Sequence, residues 1–250
     1  MSTQTPTEKV IAFVVYPGMT LLDIAGPLQV LRGLPAPYRT LTVAERVETV
    51  DTDTGLQVRP EATFADAPHP CAVIVPGGSI PTIRAMANEA LLTYLRSAAQ
   101  TAEVVASVCT GALILAAAGL LEGRAATTHW AFAGYLEKLG SPYRRQRWVE
   151  NGKIITSAGV SAGIDMALAL AARLTDETTA RLLQAGIEYD PQPPFGGIDW
   201  GLVNGPAAVR ERAAVRPQLE QAMAEALASR PDLVARLGLE RAARASATAW

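Results

Sequence analysis

Residues 103–121 read EVVASVCTGALILAAAGLL, and their organisation decides the fold. The first seven, EVVASVC, are a short apolar run rich in β-branched residues. TGALILAAAGLLEG follows at once, with apolar residues all round a helix. A buried strand passing straight into a buried helix is the unit from which covered parallel sheets are built. Cys109 sits at the junction, and two readings of it stand side by side. It is either a small, inert core residue, or a nucleophile lifted by a sharp strand-to-helix turn that the small Ser107 and Gly111 permit. In the second reading the helix N-terminus favours thiolate, so the thiol pKa is expected to fall.

The same alternation extends in both directions. KVIAFVVY (9–16) and CAVIVPGG (71–78) are further apolar strands ending in Pro-Gly or Gly-Gly, and YRTLTVAE (38–45) is another. Between them, TLLDIAGPLQVLRGL has helical spacing, with Thr20 as N-cap and a kink or break expected at Gly26-Pro27. DTGLQVRPEATF reads as a polar edge excursion, and PTIRAMANEALLTYLRSAAQT as one amphipathic helix. After Cys109 the helix is expected to stop at Gly123. ATTHW is read as a short strand before the helix AFAGYLEKLG. RRQRWVENGKIITSAG is a hairpin turning at Asn151-Gly152, and SAGIDMALALAARLTDETTARLLQAG returns to helix. YDPQPPFGG is an irregular loop before an Ala-rich, charged helical region ending in RAARASATAW. This is an α/β pattern with a mostly parallel sheet. With no repeat and no linker, residues 1–250 read as one domain, its core at about 9–190 and a C-terminal helical extension at about 200–242.

Composition excludes several function classes. The chain is 49% hydrophobic and 18% charged, with 22 basic and 24 acidic residues, so neither disorder nor an overall basic surface for nucleic acid is indicated. No apolar run reaches the roughly 20 residues of a membrane span. MSTQTPTEKV does not read as a secretory signal, and Cys71 and Cys109 fit neither a disulfide framework nor a metal spacing, which suits a reducing cytoplasm. With two histidines, His69 and His129, no metal site is expected. Nucleotide-loop and H-E-x-x-H patterns are absent, so nucleotide and zinc chemistry have no foothold and no cofactor is expected.

In a parallel sheet, ligands gather beyond the strand C-termini. That places Pro17-Gly18, Gly77-Gly78, Cys109-Thr110 and Ala158-Gly159-Val160 around one cleft. Asp23, early in its helix, is either a first-turn acid complementing the dipole or an acid/base facing that cleft, where burial raises its pKa. Free N–H groups near Gly78 suit developing negative charge, although an ordinary tight turn reads the same way. His129 is either a base for Cys109 or a hydrogen-bonded core residue. Cys71 reads as structural, and the arginines of YRRQRW as a solvated surface.

The segments VYPGMTLLDIAGPLQVL, VIVPGG, SVCTGALILAAAGLLEGRAATTHW and SAGVSAGIDMALAL, in this order over residues 9–190, resemble the DJ-1/PfpI superfamily. The resemblance implies a flavodoxin-like three-layer sandwich, a homodimer, Cys109 as nucleophile and Asp23 as acid/base. Thr110 stands where protease-like and glyoxalase-like branches carry histidine. That departure favours the branch that hydrates isocyanides, R–N≡C, to N-substituted formamides, over a sensor without turnover or a glyoxalase. For that chemistry, N–H groups near Gly78 and Thr110 are expected to steady the charged adduct, the Thr110 hydroxyl to hold water or Asp23, and Val160, beside Gly159 at the cleft, to line the substrate with Trp130. A related branch forms the N-terminal domain of AraC-type regulators. The region after residue 205 is too short and too little basic for a helix-turn-helix module, so no nucleic acid partner is expected.

Overall fold

Continuous apolar runs with no polar alternation need cover on both faces, and this sets the layering of the protein. The computed structural model describes residues 7–247, with side chains through residue 244; the first six residues of MSTQTPTEKV and the last three of the tail lie outside the described residues. The first half comprises β1 (Lys9–Val14), α1 (Leu21–Leu31), β2 (Tyr38–Ala44), β3 (Val50–Asp51), β4 (Gln57–Val58), β5 (Ala62–Thr63), β6 (Ala72–Val75), α2 (Ile80–Ala85), α3 (Glu89–Thr101), β7 (Val104–Ser107) and α4 (Gly111–Ala117). The second adds α5 (Ala133–Lys138), β8 (Trp148–Asn151), β9 (Ile154–Ser157), α6 (Ala162–Leu174), α7 (Glu177–Gly186), α8 (Trp200–Val203), α9 (Pro206–Ala226), α10 (Pro231–Leu237) and α11 (Glu240–Ala247).

The seven-stranded sheet has the order β5, β2, β1, β6, β7, β9, β8, and only β8 is antiparallel to its neighbour. Its inner strands are the apolar runs: Ile11–Val14, Ala72–Val75 and Val104–Ala106 are wholly buried. Helices α1, α6 and α7 pack together, as do α2, α3, α4 and α5, giving a three-layer α/β sandwich. The C-terminal helices join it by packing α9 on α2 and α10 on α5, burying Met223, Leu227, Leu233 and Leu237. β3 and β4 form the polar excursion as a separate two-stranded ribbon.

Local readings fail where tertiary packing or a cap overrides them. α1 runs without a break through Gly26-Pro27. Its surface there is a contact: a Cβ on Gly26 would meet Ile164 at 2.9 Å, and one on Gly163 would meet the Pro27 ring at 3.1 Å, so α6 braces the proline. Thr20 makes no side-chain cap; Asp53 from the β3–β4 turn accepts from Leu21 N instead, at 2.9 Å. The segment 81–101 is two helices, because Asn88 accepts from Leu91 N at 3.0 Å and starts α3 afresh. α4 stops at Ala117, where Gly119 (φ +79°) supplies the left-handed turn expected of Gly123. ATTHW contributes only an isolated bridge, Ala126 to Tyr143. The hairpin at Asn151-Gly152 forms as read, with Asn151 opposite Ile154.

α4 starts hard against β6, and that approach needs a residue without a side chain. A Cβ on Gly111 would overlap the Val75 carbonyl oxygen and stand 2.8 Å from that of Pro76. Both obstacles are main chain, so relief requires the helix to move. Gly111→Ala is expected to cost about 1–3 kcal/mol, measured as a lower urea midpoint with an unchanged slope.

Candidate active site

Between β7 and α4 the chain turns on Cys109, which has φ +55°. A non-glycine residue there costs about 1–2 kcal/mol, so something must hold it. Cys109 N donates to both Ser157 O and Ala158 O at 3.1 Å, and Thr128 Oγ1 donates to Cys109 O at 2.9 Å. On either side, Val108 N donates to Val75 O and Gly111 N to Val108 O, each at 2.9 Å. The elbow is thus tied to β6, to the end of β9 and to the segment before α5. The thiol it presents is 6% exposed.

Asp23 lies in the first turn of α1 and is wholly buried. Its Oδ2 accepts from Gly77 N at 2.8 Å, while Oδ1 accepts no hydrogen bond among the described residues. Burial pushes its pKa up to about 7, against the pull of the Gly77 N–H; Asp53 pushes the same way, and the Cys109 thiol draws it down. The effect on the sulfur reverses the expectation from the sequence. Burial, then the Asp23 charge, push the Cys109 pKa up to about 12, outweighing the N–H groups of Val160 and Thr110 and the Thr110 hydroxyl. Dehydration at the turn therefore overrides the helix dipole, and the resting sulfur is a thiol.

The other residues singled out fall as follows. Thr110 is buried beside Cys109, its Oγ1 accepting from Gly78 N at 3.0 Å. The Gly78 N–H expected to face developing charge is therefore engaged. Val160 (φ +30°) brings its N–H toward the sulfur. Gly159 is a packing position, where a Cβ would stand 2.5 Å from His129 Cδ2. His129 is the core reading: no hydrogen bond joins it to Cys109, its Nδ1 accepts from Ala131 N at 3.3 Å, and burial lowers its pKa. Cys71 is a half-buried thiol at the foot of β6, raised by burial to about 11. Trp130 packs edge-on against Trp200, with Arg212 over its ring. From the basic cluster, Arg145 covers Trp200 at 3.9 Å and Arg147 pairs with Asp165.

Two contributors, Tyr16 and Thr82, escaped sequence reading, and Gly77, read only as part of the cleft, touches both Thr110 and Asp23. Gly77 is where the site closes: a Cβ there would lie 2.5 Å from Thr110 Oγ1 and 2.9 Å from Asp23 Oδ2. Tyr16 and Thr82 continue from Thr110 as a line of buried hydroxyls, Thr110 Oγ1 to Thr82 Oγ1 at 2.7 Å and Thr82 Oγ1 to Tyr16 Oη at 3.1 Å, ending where Tyr16 donates to Pro76 O at 2.9 Å. Only the glycine pair offered a signal. Among the described residues, no cluster of His, Cys, Asp and Glu is placed to hold a metal, and no helix is long and apolar enough to cross a membrane. A cavity of about 490 Å³ lies between α5 and α9, lined by Phe132, Tyr135, Val209 and Leu219, away from Cys109. Its cations are already engaged, Lys138 with Leu237 O, Arg212 with Val203 O and Arg216 with Glu220.

An elbow cysteine beside a buried acid, on this sandwich, defines a class, and residues 9–173 match the DJ-1/PfpI family. The chain belongs to that family. It is 41% identical over 229 residues to the isonitrile hydratase of Pseudomonas putida, covering 89% of this chain and 98% of that one. Its structure is similar to a ThiJ/PfpI family protein from Pseudomonas syringae, with a TM-score of 0.80 and 34% identity over 90% of this chain and 93% of that one. The transcriptional regulator GbdR of Pseudomonas aeruginosa is 30% identical over 178 residues, 68% of this chain but 48% of that protein.

The raised Asp23 pKa has a consequence for stability. Between about pH 4 and 7 the unfolded chain has released this proton while the folded protein keeps it, so stability falls as pH rises and the loss is complete above about 7. A rise of about 3 units corresponds to a loss on the order of 4 kcal/mol. Asp23→Asn keeps an oxygen for Gly77 N–H and removes the titration. Urea midpoints between pH 5 and 8 are expected to fall for the wild type and to stay nearly level for the variant.

Proposed function

We propose that this protein is an isonitrile hydratase, converting R–N≡C and water to an N-substituted formamide through a covalent intermediate on Cys109. The observation that carries the reading is the pairing of a protonated thiol with a buried Asp23 whose pKa is near 7. Such a carboxyl accepts and returns protons at neutral pH with little driving force lost in either direction. Similarity to the Pseudomonas putida hydratase over nearly its whole length supports the substrate class.

An isocyanide carbon is electrophilic and, once attacked, basic at the same atom. Because the resting sulfur is a thiol, ionised Asp23 takes its proton as the S–C bond forms, and then delivers that proton to the former isocyanide carbon. The product is a thioimidate, R–N=CH–S–Cys109. Water adds to its carbon while Asp23 accepts a water proton and passes it to nitrogen, giving R–NH–CH(OH)–S–Cys109. Collapse breaks the C–S bond, and Asp23 moves the hydroxyl proton to sulfur, releasing R–NH–CHO and the thiol. The N–H groups of Val160 and Thr110 steady charge on sulfur and on the adduct. Gly78 acts one step removed, by holding Thr110. Gly159 contributes the close turn that brings Val160 in.

A thiol held up to about 12 is a poor resting target for oxidants, which supports hydration over the redox-sensor reading. The homodimer implied by the family resemblance and the cytoplasmic location suited by the cysteine usage belong to this proposal; exposed Leu22 and Leu182 are apolar side chains a dimer contact would cover. Light scattering giving a monomer mass would remove the dimer.

The purified protein is expected to form formamide from a simple alkyl or aryl isocyanide and to leave methylglyoxal unconsumed. Cys109→Ala abolishes turnover, and Asp23→Asn, still folded, loses roughly 10²–10⁴-fold. The value of kcat/KM rises with pH through about 7 as Asp23 ionises. Formamide production surviving Cys109→Ala, or methylglyoxal consumption alone, would sink the assignment.

A further inference from the structure

Thr82 lies between two hydroxyls, 2.7 Å from Thr110 Oγ1 and 3.1 Å from Tyr16 Oη, and it has a single proton to give. Tyr16 commits its own proton to Pro76 O at 2.9 Å, so toward Thr82 it can only accept. Thr82 therefore donates to Tyr16 and accepts from Thr110, while Thr110 accepts from Gly78 N. In this resting direction every hydroxyl proton points away from Cys109. The three hydroxyls are buried, with Tyr16 at 7% exposure, Thr82 at 0% and Thr110 at 1%, so water does not stand in for any partner.

We propose that Tyr16, Thr82 and Thr110 form a reversible hydroxyl relay that withholds a hydrogen bond from the Cys109 thiol at rest and delivers it when the sulfur becomes anionic. Tyr16 and Thr82 are thus positioning residues that act through Thr110. Reversal needs three O–H rotations and no movement of heavier atoms. Thr110 turns its proton to Sγ, Thr82 turns its own to Thr110, and Tyr16 turns from Pro76 O to Thr82. The Thr110 hydroxyl is close enough to the sulfur to favour its ionised form. The opposing force is the Pro76 carbonyl, which loses its donor on reversal; a buried acceptor left unpaired resists that change. Chains of such hydroxyls strengthen one another when aligned, so the sulfur senses a residue more than ninety positions earlier in the chain.

The inference rests on Cys109 being the reacting thiol but not on which substrate it meets, and its test uses no isocyanide. Other groups acting on the sulfur are Asp23 from α1, itself influenced by Asp53, and the N–H groups of Thr110 and Val160; His129, against Gly159, is uncharged at the pH used. The measurement is the rate of iodoacetamide alkylation at pH 8.5 in a Cys71→Ser background, paired with the ¹³Cβ shift of Cys109, which reads the thiolate fraction even where reagent access is slow. Tyr16→Phe removes the acceptor for Thr82, which then donates to Thr110 and frees the Thr110 proton for sulfur. Alkylation is expected to rise roughly three- to tenfold, with the ¹³Cβ shift moving toward thiolate. Thr82→Val frees the same proton and gives the same direction, so the inference stays testable if Tyr16→Phe fails to fold, whereas Thr82→Ser retains the relay and behaves as wild type. In a Thr110→Val background, neither substitution has an effect. An unchanged or slower rate in both Tyr16→Phe and Thr82→Val, or an equal rise without Thr110, overturns the relay; formamide assays on the wild type decide the hydratase reading separately.

Discussion

The φ of +55° at Cys109 is the constraint on which the rest of the site depends. It costs free energy locally, and the fold supplies the compensation through hydrogen bonds from three separate places: β6 to Val108 N, the end of β9 to Cys109 N, and the Thr128 hydroxyl to the Cys109 carbonyl. Gly111 lets α4 begin against the β6 carbonyls. An inner strand flanked by parallel neighbours on both sides is what makes such a turn rigid. At a sheet edge the same turn would lose one of its anchors.

Electrostatics follow from that placement. A sulfur and a carboxyl enclosed in one dry site cannot both carry charge cheaply, so their titrations are linked and the pair is better described by the number of protons it holds than by two separate acids. With one carboxyl near neutrality and one thiol well above it, the pair loses its first proton from Asp23. In the proposed hydration, nucleophilicity is then called up by the approach of an electrophile rather than stored as a standing thiolate.

Much of this was legible in the letters. The apolar runs gave the strand positions, and the junction of EVVASVC with TGALIL marked the elbow before any contact was known. What escaped reading came from outside the local window. The cap on α1 is Asp53, thirty-two residues from the group it satisfies, and the continuity of α1 through Pro27 depends on α6. Asn88 inside an otherwise helical pattern was a readable restart signal, outvoted by periodicity on either side. The direction of the Cys109 pKa was misjudged because helix N-terminus and burial act oppositely, and only the depth of the turn decides between them. Tyr16 and Thr82 gave no signal at all, since one closes an apolar run just past β1 and the other lies in a short helix, 66 residues away.

The bonds at the elbow also bear on how the chain is made. Cys109 N is held by Ser157 O and Ala158 O, and Ser157 Oγ donates to Ser107 O across fifty residues of sequence. During synthesis, residues 103–121 emerge long before these partners, so the β7–α4 unit can collapse without yet fixing its strained turn. The dry environment that restrains the sulfur arrives with β9 and the loop after it. A ribosome-bound fragment ending before residue 157 would carry the Cys109 thiol in an unfinished, wetter setting, and its ionisation would be suppressed once the sheet gains its sixth parallel strand.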